Sequence, residues 1–191
     1  MAYGANLLVN PSAETQDTTG WVVDGVTVEE NTTVATNYSH ITNDADGWMG
    51  QYDHKISLEG AAGDYCFVFA SDADASMQQV LYASDIGATP ESFQFIISFK
   101  LANAQNAWDP NVLGKAILEI KYDTGLFDYF TTPLVTGLYH VDRNLVNFWL
   151  LNTLICDMDT AKTIEQITVS IETDNFTQGL YVNYIELRKE V

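Results

Sequence analysis

Basic residues are scarce in this sequence. Lys and Arg together number 8 against 26 Asp and Glu, so the formal net charge is -18. Nucleic acids and anionic lipid surfaces are bound through basic patches, and we therefore expect neither a nucleic-acid nor a membrane partner. The acidic side chains could bind a hard cation such as calcium, but a solvated surface is the simpler interpretation for most of them.

Long hydrophobic runs are also missing. No apolar stretch approaches the ~20 residues that a membrane-spanning helix needs. The N-terminal residues contain neither a basic region nor a long hydrophobic segment, so no signal peptide is expected. Export of this chain would need another route, or a leader that has been removed.

The sequence has few of the residues that form metal and redox sites. Its two cysteines, Cys66 and Cys156, are far apart and outside any CxxC motif, and each lies in an apolar run. Two buried free thiols are the expected state, with a disulfide between them as the alternative. The three histidines show neither HxH nor HExxH spacing, so a zinc hydrolase has no ligand set.

Catalytic motifs of other hydrolases are equally hard to find. There is no GxSxG nucleophile motif. Glu172 and Asp174 come nearest to the carboxylate-bearing strand of some jelly-roll glycosidases, but no third acid follows them. Catalysis is therefore not expected.

What the sequence does have is a hydrophobic content of 47% and a period of two. Apolar residues alternate with polar ones from Ser92 to Leu101, from Ala116 to Tyr122 and from Ile164 to Thr173, which predicts half-buried strands. Further strands are predicted in four segments rich in β-branched and aromatic residues: 63–70, 77–82, 145–151 and 179–187.

Turn-forming residues separate these strands, and no long segment shows a helical period. Many short strands at regular spacing predict an all-β antiparallel sandwich or barrel, with residues 1–191 as a single domain. The segment from Val26 to Ser57 is the least regular and is expected to be rich in loops. One turn of helix is possible between Asp157 and Gln166.

The two ends of the chain carry a resemblance to a known family. The opening stretch resembles the start of the carbohydrate-binding-module jelly rolls of the galactose-binding-like superfold, in which an Asn-Leu-Leu run, Asn-Pro, a Glu and a Gly-Trp follow one another. The matching residues are Asn6, Leu7, Leu8, Asn10, Pro11, Glu14, Gly20 and Trp21, whereas Ala13 stands where the family has Phe. The segment 179–187 is similar to the family's closing strand, and the strands between match weakly but in order. Among them, the segment 77–82 resembles a family strand that carries a Gln two residues before a Val, and Gln78 fits that position best.

The resemblance implies an antiparallel β-sandwich jelly roll whose first and last strands lie side by side. In that family a structural calcium often binds between these strands. It would be held here by Glu14 and by Asn183, which stands where the family usually has Asp. Calcium prefers six to eight oxygen ligands of this kind, and the loss of one charge predicts weaker binding.

Aromatic residues in polar, turn-rich segments are the candidates for ligand contact, because flat rings stack on the apolar faces of sugars. Trp48, Tyr52 and Trp108 meet this description, although each could equally anchor a loop. Trp21 is expected in the core. In a jelly roll the polar face of the strands could form one concave surface, and it would carry Gln94, Lys100, Glu119 and Lys121.

By resemblance, the expected function is non-catalytic binding of a glycan or polysaccharide. Phage tail and other virion proteins use the same module. The alternative is therefore a virion structural or adhesion protein without sugar binding, with other virion or surface proteins as partners. Because no signal peptide is expected, the location would be virion-associated, or extracellular with the leader removed.

Overall fold

The computed structural model describes residues 2–30, 38–43, 49–52, 65–69, 74–101, 112–135, 149–173 and 180–191. Strands make up nearly all of the regular structure in these ranges, and one short helix, α1 (Ala83–Ile86), follows the seventh strand. The strands are β1 (Tyr3–Asn6), β2 (Val22–Asp24), β3 (Val26–Glu30), β4 (Tyr38–Asn43), β5 (Met49–Tyr52), β6 (Tyr65–Phe69), β7 (Ala75–Tyr82), β8 (Ser92–Leu101), β9 (Val112–Tyr122), β10 (Phe127–Val135), β11 (Trp149–Asp157), β12 (Ile164–Thr173) and β13 (Leu180–Glu190).

The strands form two sheets that pack face to face. The larger sheet has the order β3-β6-β13-β8-β11-β4-β5, with β1 paired to β13, and the smaller sheet has the order β10-β9-β12-β7-β2. Neighbouring strands in these ranges are antiparallel, apart from the parallel pair β11 and β4. The predicted all-β sandwich of the jelly-roll type is therefore confirmed.

The inward faces of the two sheets make the core, as the period of two predicts. On β8, the alternating residues Phe93, Phe95, Ile97 and Phe99 are almost completely buried. The facing strands of the smaller sheet contribute side chains such as Leu118, Ile120, Ile167, Val169 and Ile171. Trp21 is buried as expected, with its ring edge-on to that of Phe67 at 6.0 Å between centroids.

The first and last strands pair with each other, as the resemblance implies. Strand β1 is antiparallel to the end of β13, and the side chain of Asn6 continues this pairing by accepting from the Leu187 amide at 2.9 Å. The family-like motif that extends from Asn6 to Trp21 is not itself a strand, because the chain after Asn6 forms a loop. Three non-glycine residues of that loop have positive φ: Asn10, Ala13 and Gln16.

Strands β3, β4 and β5 lie in the segment 26–57, and the rest of that segment lies outside the described residues, so its expected richness in loops stays a prediction. One local expectation is wrong. The predicted helical turn near Asp157 is absent from the described structure there. The side chain of Asp159 instead accepts from the Ala161 amide at 3.0 Å, and this local bond favours a turn over a helix.

Both cysteines are free and buried, which confirms the first expectation for them. They lie on different strands of the larger sheet, Cys66 on β6 and Cys156 on β11. Burial raises the pKa of the Cys156 thiol to about 12, with a smaller contribution from Asp157, so this thiol stays protonated and unreactive. No helix within the described ranges is long and apolar enough to cross a membrane.

Candidate ligand-binding face

The side of the smaller sheet that points away from the core, here called the outer face, carries a regular array of side chains. Along β7, β9 and β12 the inward residues are buried, and the alternate residues are partly or fully exposed. Because paired residues of neighbouring strands point to the same side, the strand register arranges these exposed residues in rows across the sheet. Two of these rows contain exposed aromatic rings.

The first of them, the aromatic row, runs from β10 to β7. Phe127 pairs with Lys121, Lys121 with Gln166, and Gln166 with Tyr82. An aromatic ring therefore stands at each end, with two hydrogen-bonding side chains between them. Phe127 is 43% exposed and Tyr82 is 58% exposed. Strands lie about 4.8 Å apart, so the row spans roughly 14 Å, close to the length of a few sugar units.

The second row lies directly beside the aromatic row. It contains Tyr129, Glu119, Thr168 and Val80, paired in that order. Tyr129 is 61% exposed, and its ring stacks beside that of Phe127 with 6.1 Å between centroids and 18° between planes. A hydrogen bond to the Glu119 carboxylate raises the pKa of the Tyr129 phenol, so this hydroxyl stays protonated.

Two ion pairs join β9 to β12 on the same face. The Lys121 ammonium donates to Glu165 at 2.6 Å, next to the aromatic row. Lys115 lies 3.2 Å from Glu172 in the row furthest from the exposed rings. Both pairs are partly exposed to solvent, so they orient the lysine side chains more than they stabilise the fold.

This arrangement has the chemistry of a sugar-binding surface. The two exposed, nearly parallel rings of Phe127 and Tyr129 form an apolar patch at the edge of the sheet. Glu119, Lys121 and Gln166 supply acceptors and donors beside that patch. Flat aromatic faces flanked by such groups bind the apolar faces and the hydroxyls of sugars. Within the described ranges, no group of three or more His, Cys, Asp or Glu side chains could hold a metal ion.

The structure brings together only part of the predicted polar surface. Glu119 and Lys121 lie on β9 and face outward from the smaller sheet, whereas Gln94 and Lys100 belong to β8 of the larger sheet. The expectation that these four share one concave surface is therefore wrong. Strands β8 and β9 follow one another in the chain but belong to opposite sheets, so their polar faces point in opposite directions.

The other predicted ligand residues are only partly placed. Tyr52 ends strand β5 at one edge of the larger sheet. Trp48 and Trp108 lie outside the described residues, and their part in ligand binding stays a prediction.

The predicted metal ligands lie on two elements, Glu14 in the opening loop and Asn183 on β13. The Glu14 carboxylate is exposed and accepts from the Tyr65 amide at 3.4 Å. Asn183 occupies the irregular step of β13 between Val182 and Tyr184. The opening loop contacts β13 at Ile185, two residues after Asn183, where the Ile185 amide donates to the carbonyl of Pro11 at 2.9 Å.

The exposed aromatic residues Tyr82, Phe127 and Tyr129 were missed by the sequence reasoning. Strand β10 begins after the Tyr122–Gly125 turn, and its outward residues read Phe127, Tyr129, Thr131 and Pro133. The segment lacks an alternating apolar series of the length seen in β8, because its inward positions include Asp128 and Thr132. The sequence pattern that could have indicated this strand is the pair of aromatic residues at alternate positions, Phe127 and Tyr129, directly after a turn.

No protein-family model matches the chain, and no curated protein sequence matches it either. Solved structures do. A family 61 carbohydrate-binding module in complex with beta-1,4-galactotriose matches with 16% identity and a TM-score of 0.54, over 98% of this chain and 100% of that one. A family 16 carbohydrate-binding module matches with 15% identity and a TM-score of 0.57, over 95% and 99%. The chain has the fold of carbohydrate-binding modules.

A phage protein shares the same fold. The enzymatically active domain of tailspike protein 4 from bacteriophage CBA120 matches with 13% identity and a TM-score of 0.58. The match covers 95% of this chain but only 21% of the tailspike chain. At these identities the comparisons establish the fold, and the function has to be argued from the site.

Proposed function

We propose that this protein is a non-catalytic carbohydrate-binding module that holds a glycan on the outer face of its smaller sheet. The observation that carries the proposal is the exposed, stacked pair of rings formed by Phe127 and Tyr129. Large exposed aromatic side chains placed side by side mark a binding surface more often than scattered apolar residues do. Carbohydrate-binding modules are also the most frequent structures among the solved relatives described above.

The polar residues beside the rings support a sugar more than an apolar ligand. Glu119 accepts hydrogen bonds, Lys121 donates them, and Gln166 can do both. A sugar stacked on Phe127 and Tyr129 would place its hydroxyl groups next to these side chains. The Tyr129 phenol and the Glu119 carboxylate are neighbours that interact before any ligand binds.

The carboxylates named on this face each have a neighbouring group of their own. A glycosidase needs two carboxyl groups that flank one bond, one as acid and one as base or nucleophile. Here Glu119 interacts with the Tyr129 phenol, while Glu165 and Glu172 are each paired with a lysine. This supports a binding function without catalysis, and we expect no release of reducing ends from any polysaccharide that the protein binds.

A virion protein that uses this fold only as a scaffold is the second candidate. The match to a phage tailspike over 95% of this chain favours it. The two candidates differ in their behaviour towards glycans. A carbohydrate-binding module binds at least one glycan saturably through its aromatic residues, whereas a scaffold binds none.

The test is calorimetric titration with β-1,4-galactan, xylan and galactomannan, using the wild type and Tyr129→Ala. Loss of a stacking ring should weaken binding by about tenfold. It should leave the melting temperature nearly unchanged, because Tyr129 is exposed. Ile155→Ala is the control, since Ile155 is exposed on the larger sheet. Equal affinities of all three proteins, or no binding by the wild type, would contradict the proposal.

We further propose that a metal bound at the opening loop would be a structural calcium, with Glu14 and Asn183 among its ligands. The fit of the described residues is partial. Glu14 offers an exposed carboxylate. The loop carbonyls of Asn10, Pro11 and Ala13, however, already accept hydrogen bonds from the chain. Calcium would supply a link between the opening loop and β13 in addition to these bonds.

A further inference from the structure

Strand β12 contains an irregularity next to the aromatic row. The pairing of β12 with β9 shifts between Ile164 and Gln166, so Glu165 is an extra residue without a partner on β9. A bulge of this kind redirects a side chain that regular alternation would place elsewhere, and bulges are common beside functional sites. Here the bulge lets two consecutive residues, Glu165 and Gln166, stand beside Lys121.

The redirected carboxylate is bound to the lysine of the aromatic row. The Lys121 ammonium donates to Glu165 at 2.6 Å. The ammonium keeps two further protons that can be donated to a ligand, because a lysine carries three. Glu165 therefore holds the end of Lys121 in place and cancels its charge at the point where a glycan would lie.

We propose that Glu165 is a specificity-determining residue. It fixes Lys121 as a hydrogen-bond donor, and by neutralising the lysine it makes the aromatic row bind uncharged glycans in preference to acidic ones. This inference rests on the proposed glycan binding. Glu165 acts through Lys121 and is a positioning residue. Without Glu165, Lys121 would be an unpaired cation in the aromatic row. An unpaired cation there would attract the carboxylates of uronic acids.

The charge around the row supports this selection. Glu119 stands in the adjacent row, and the chain as a whole carries a net charge of -18. With Lys121 neutralised by Glu165, a carboxylate-bearing ligand would meet only repulsion on this part of the face. A neutral ligand carries no net charge, so it does not meet this charge–charge repulsion.

The same two strands provide a matched control. Lys115 and Glu172 form a second ion pair between β9 and β12, with 3.2 Å between its charged atoms. It lies in the row that pairs with Pro133 and Ser76, away from the exposed rings. Glu172→Gln removes one negative charge from the same sheet face, as Glu165→Gln does, but it frees a lysine that the glycan does not reach.

The experiment measures selectivity. Binding of the wild type, Glu165→Gln and Glu172→Gln is titrated with β-1,4-galactan and galactomannan, and with the same polysaccharides oxidised at their primary alcohols to carboxylates. Xylan is compared with glucuronoxylan in the same way. We expect Glu165→Gln to raise affinity for the acidic forms about fivefold, as one unscreened charge at contact distance in water would. The gain should disappear in high salt, and Glu172→Gln should keep the wild-type preference.

The outcomes separate this inference from the proposed function. A wild type that binds neutral glycans, together with a Glu165→Gln variant of unchanged preference, overturns the inference alone. Equal gains in Glu165→Gln and Glu172→Gln also overturn it, because the preference would then follow net charge and not the pair at the aromatic row. If no variant binds any glycan, the proposed function fails and the inference fails with it.

Discussion

At the scale of single residues, the side chain of one glutamine makes the backbone hydrogen bonds that a neighbouring strand would otherwise make. Gln79 points inward from β7, and its amide accepts from the Val9 amide at 2.8 Å and donates to the carbonyls of Val9 and Gly20 at 3.0 Å each. These three bonds fasten the opening loop to the smaller sheet. The resemblance to the family's Gln-x-Val strand selects Gln78, but that neighbour faces outward and is exposed. Sequence spacing alone could not decide between adjacent glutamines that point to opposite faces.

This difference predicts unequal effects of two neighbouring substitutions. Gln79→Ala leaves one amide and two carbonyls without their bonds in a largely buried place, and it should reduce the free energy of unfolding by about 2–4 kcal/mol. Gln78→Ala removes an exposed side chain and should change it by less than ~0.5 kcal/mol. Urea denaturation of both variants is the measurement. Similar losses in the two would show that the opening loop is not held through Gln79.

At the scale of elements, a clear residue pattern decided which strands could be predicted. The predicted limits of β8 and β12 agree with the structure, because both strands have ten residues and an inward face that is mainly apolar. Strands β1, β2 and β3 have only three to five residues, too few for a period to emerge. The candidate site depended on β10, whose inward face mixes polar and apolar residues, and the rings it carries were therefore missed.

The opening loop gives the prediction that belongs to this scale. A bound ion stabilises the folded state by mass action, so a calcium between the loop and β13 should raise the melting temperature, and a chelator should lower it. Glu14→Gln should abolish that response. Its control is Asp17→Asn, because Asp17 lies in the same loop and its carboxylate accepts only local bonds, from Thr15 and Thr19. A melting temperature independent of calcium and chelator would contradict the calcium proposal.

At the scale of the whole molecule, the sequence predicts the class of fold but not which polar faces coincide. Alternation assigns Gln94 and Glu119 to outward faces correctly, since both are partly exposed. The alternation does not indicate which sheet a strand joins. Sheet membership depends on pairing between strands far apart in the chain, such as β8 with β13 and β9 with β12. The separation of the predicted polar surface into two opposite faces follows from this topology.

The net charge of -18 belongs to the whole molecule and gives the last prediction. Like charges on a compact surface repel one another, and the repulsion falls on unfolding as the charges move apart. Salt shortens the range of this repulsion from ~30 Å at 0.01 M to ~3 Å at 1 M. Raising NaCl across this range, with chelator present, should therefore raise the melting temperature. If screening restores about 1 kcal/mol, the rise is about 2–4 °C for a chain of this length.

A double variant separates this effect from a general action of salt on the folded state. Glu91 and Asp157 are exposed at neighbouring chain ends of β8 and β11, where the Met158 amide donates to the Glu91 carbonyl at 2.8 Å. Replacing both by their amides removes two like charges from neighbouring segments of the chain. Charge repulsion predicts that the double variant melts higher than the wild type at low salt and at the same temperature at high salt. If the melting temperatures of the two proteins differ equally at both salt concentrations, the two side chains act through local contacts. If the melting temperature of the wild type does not change with salt, repulsion between its acidic side chains does not destabilise the fold.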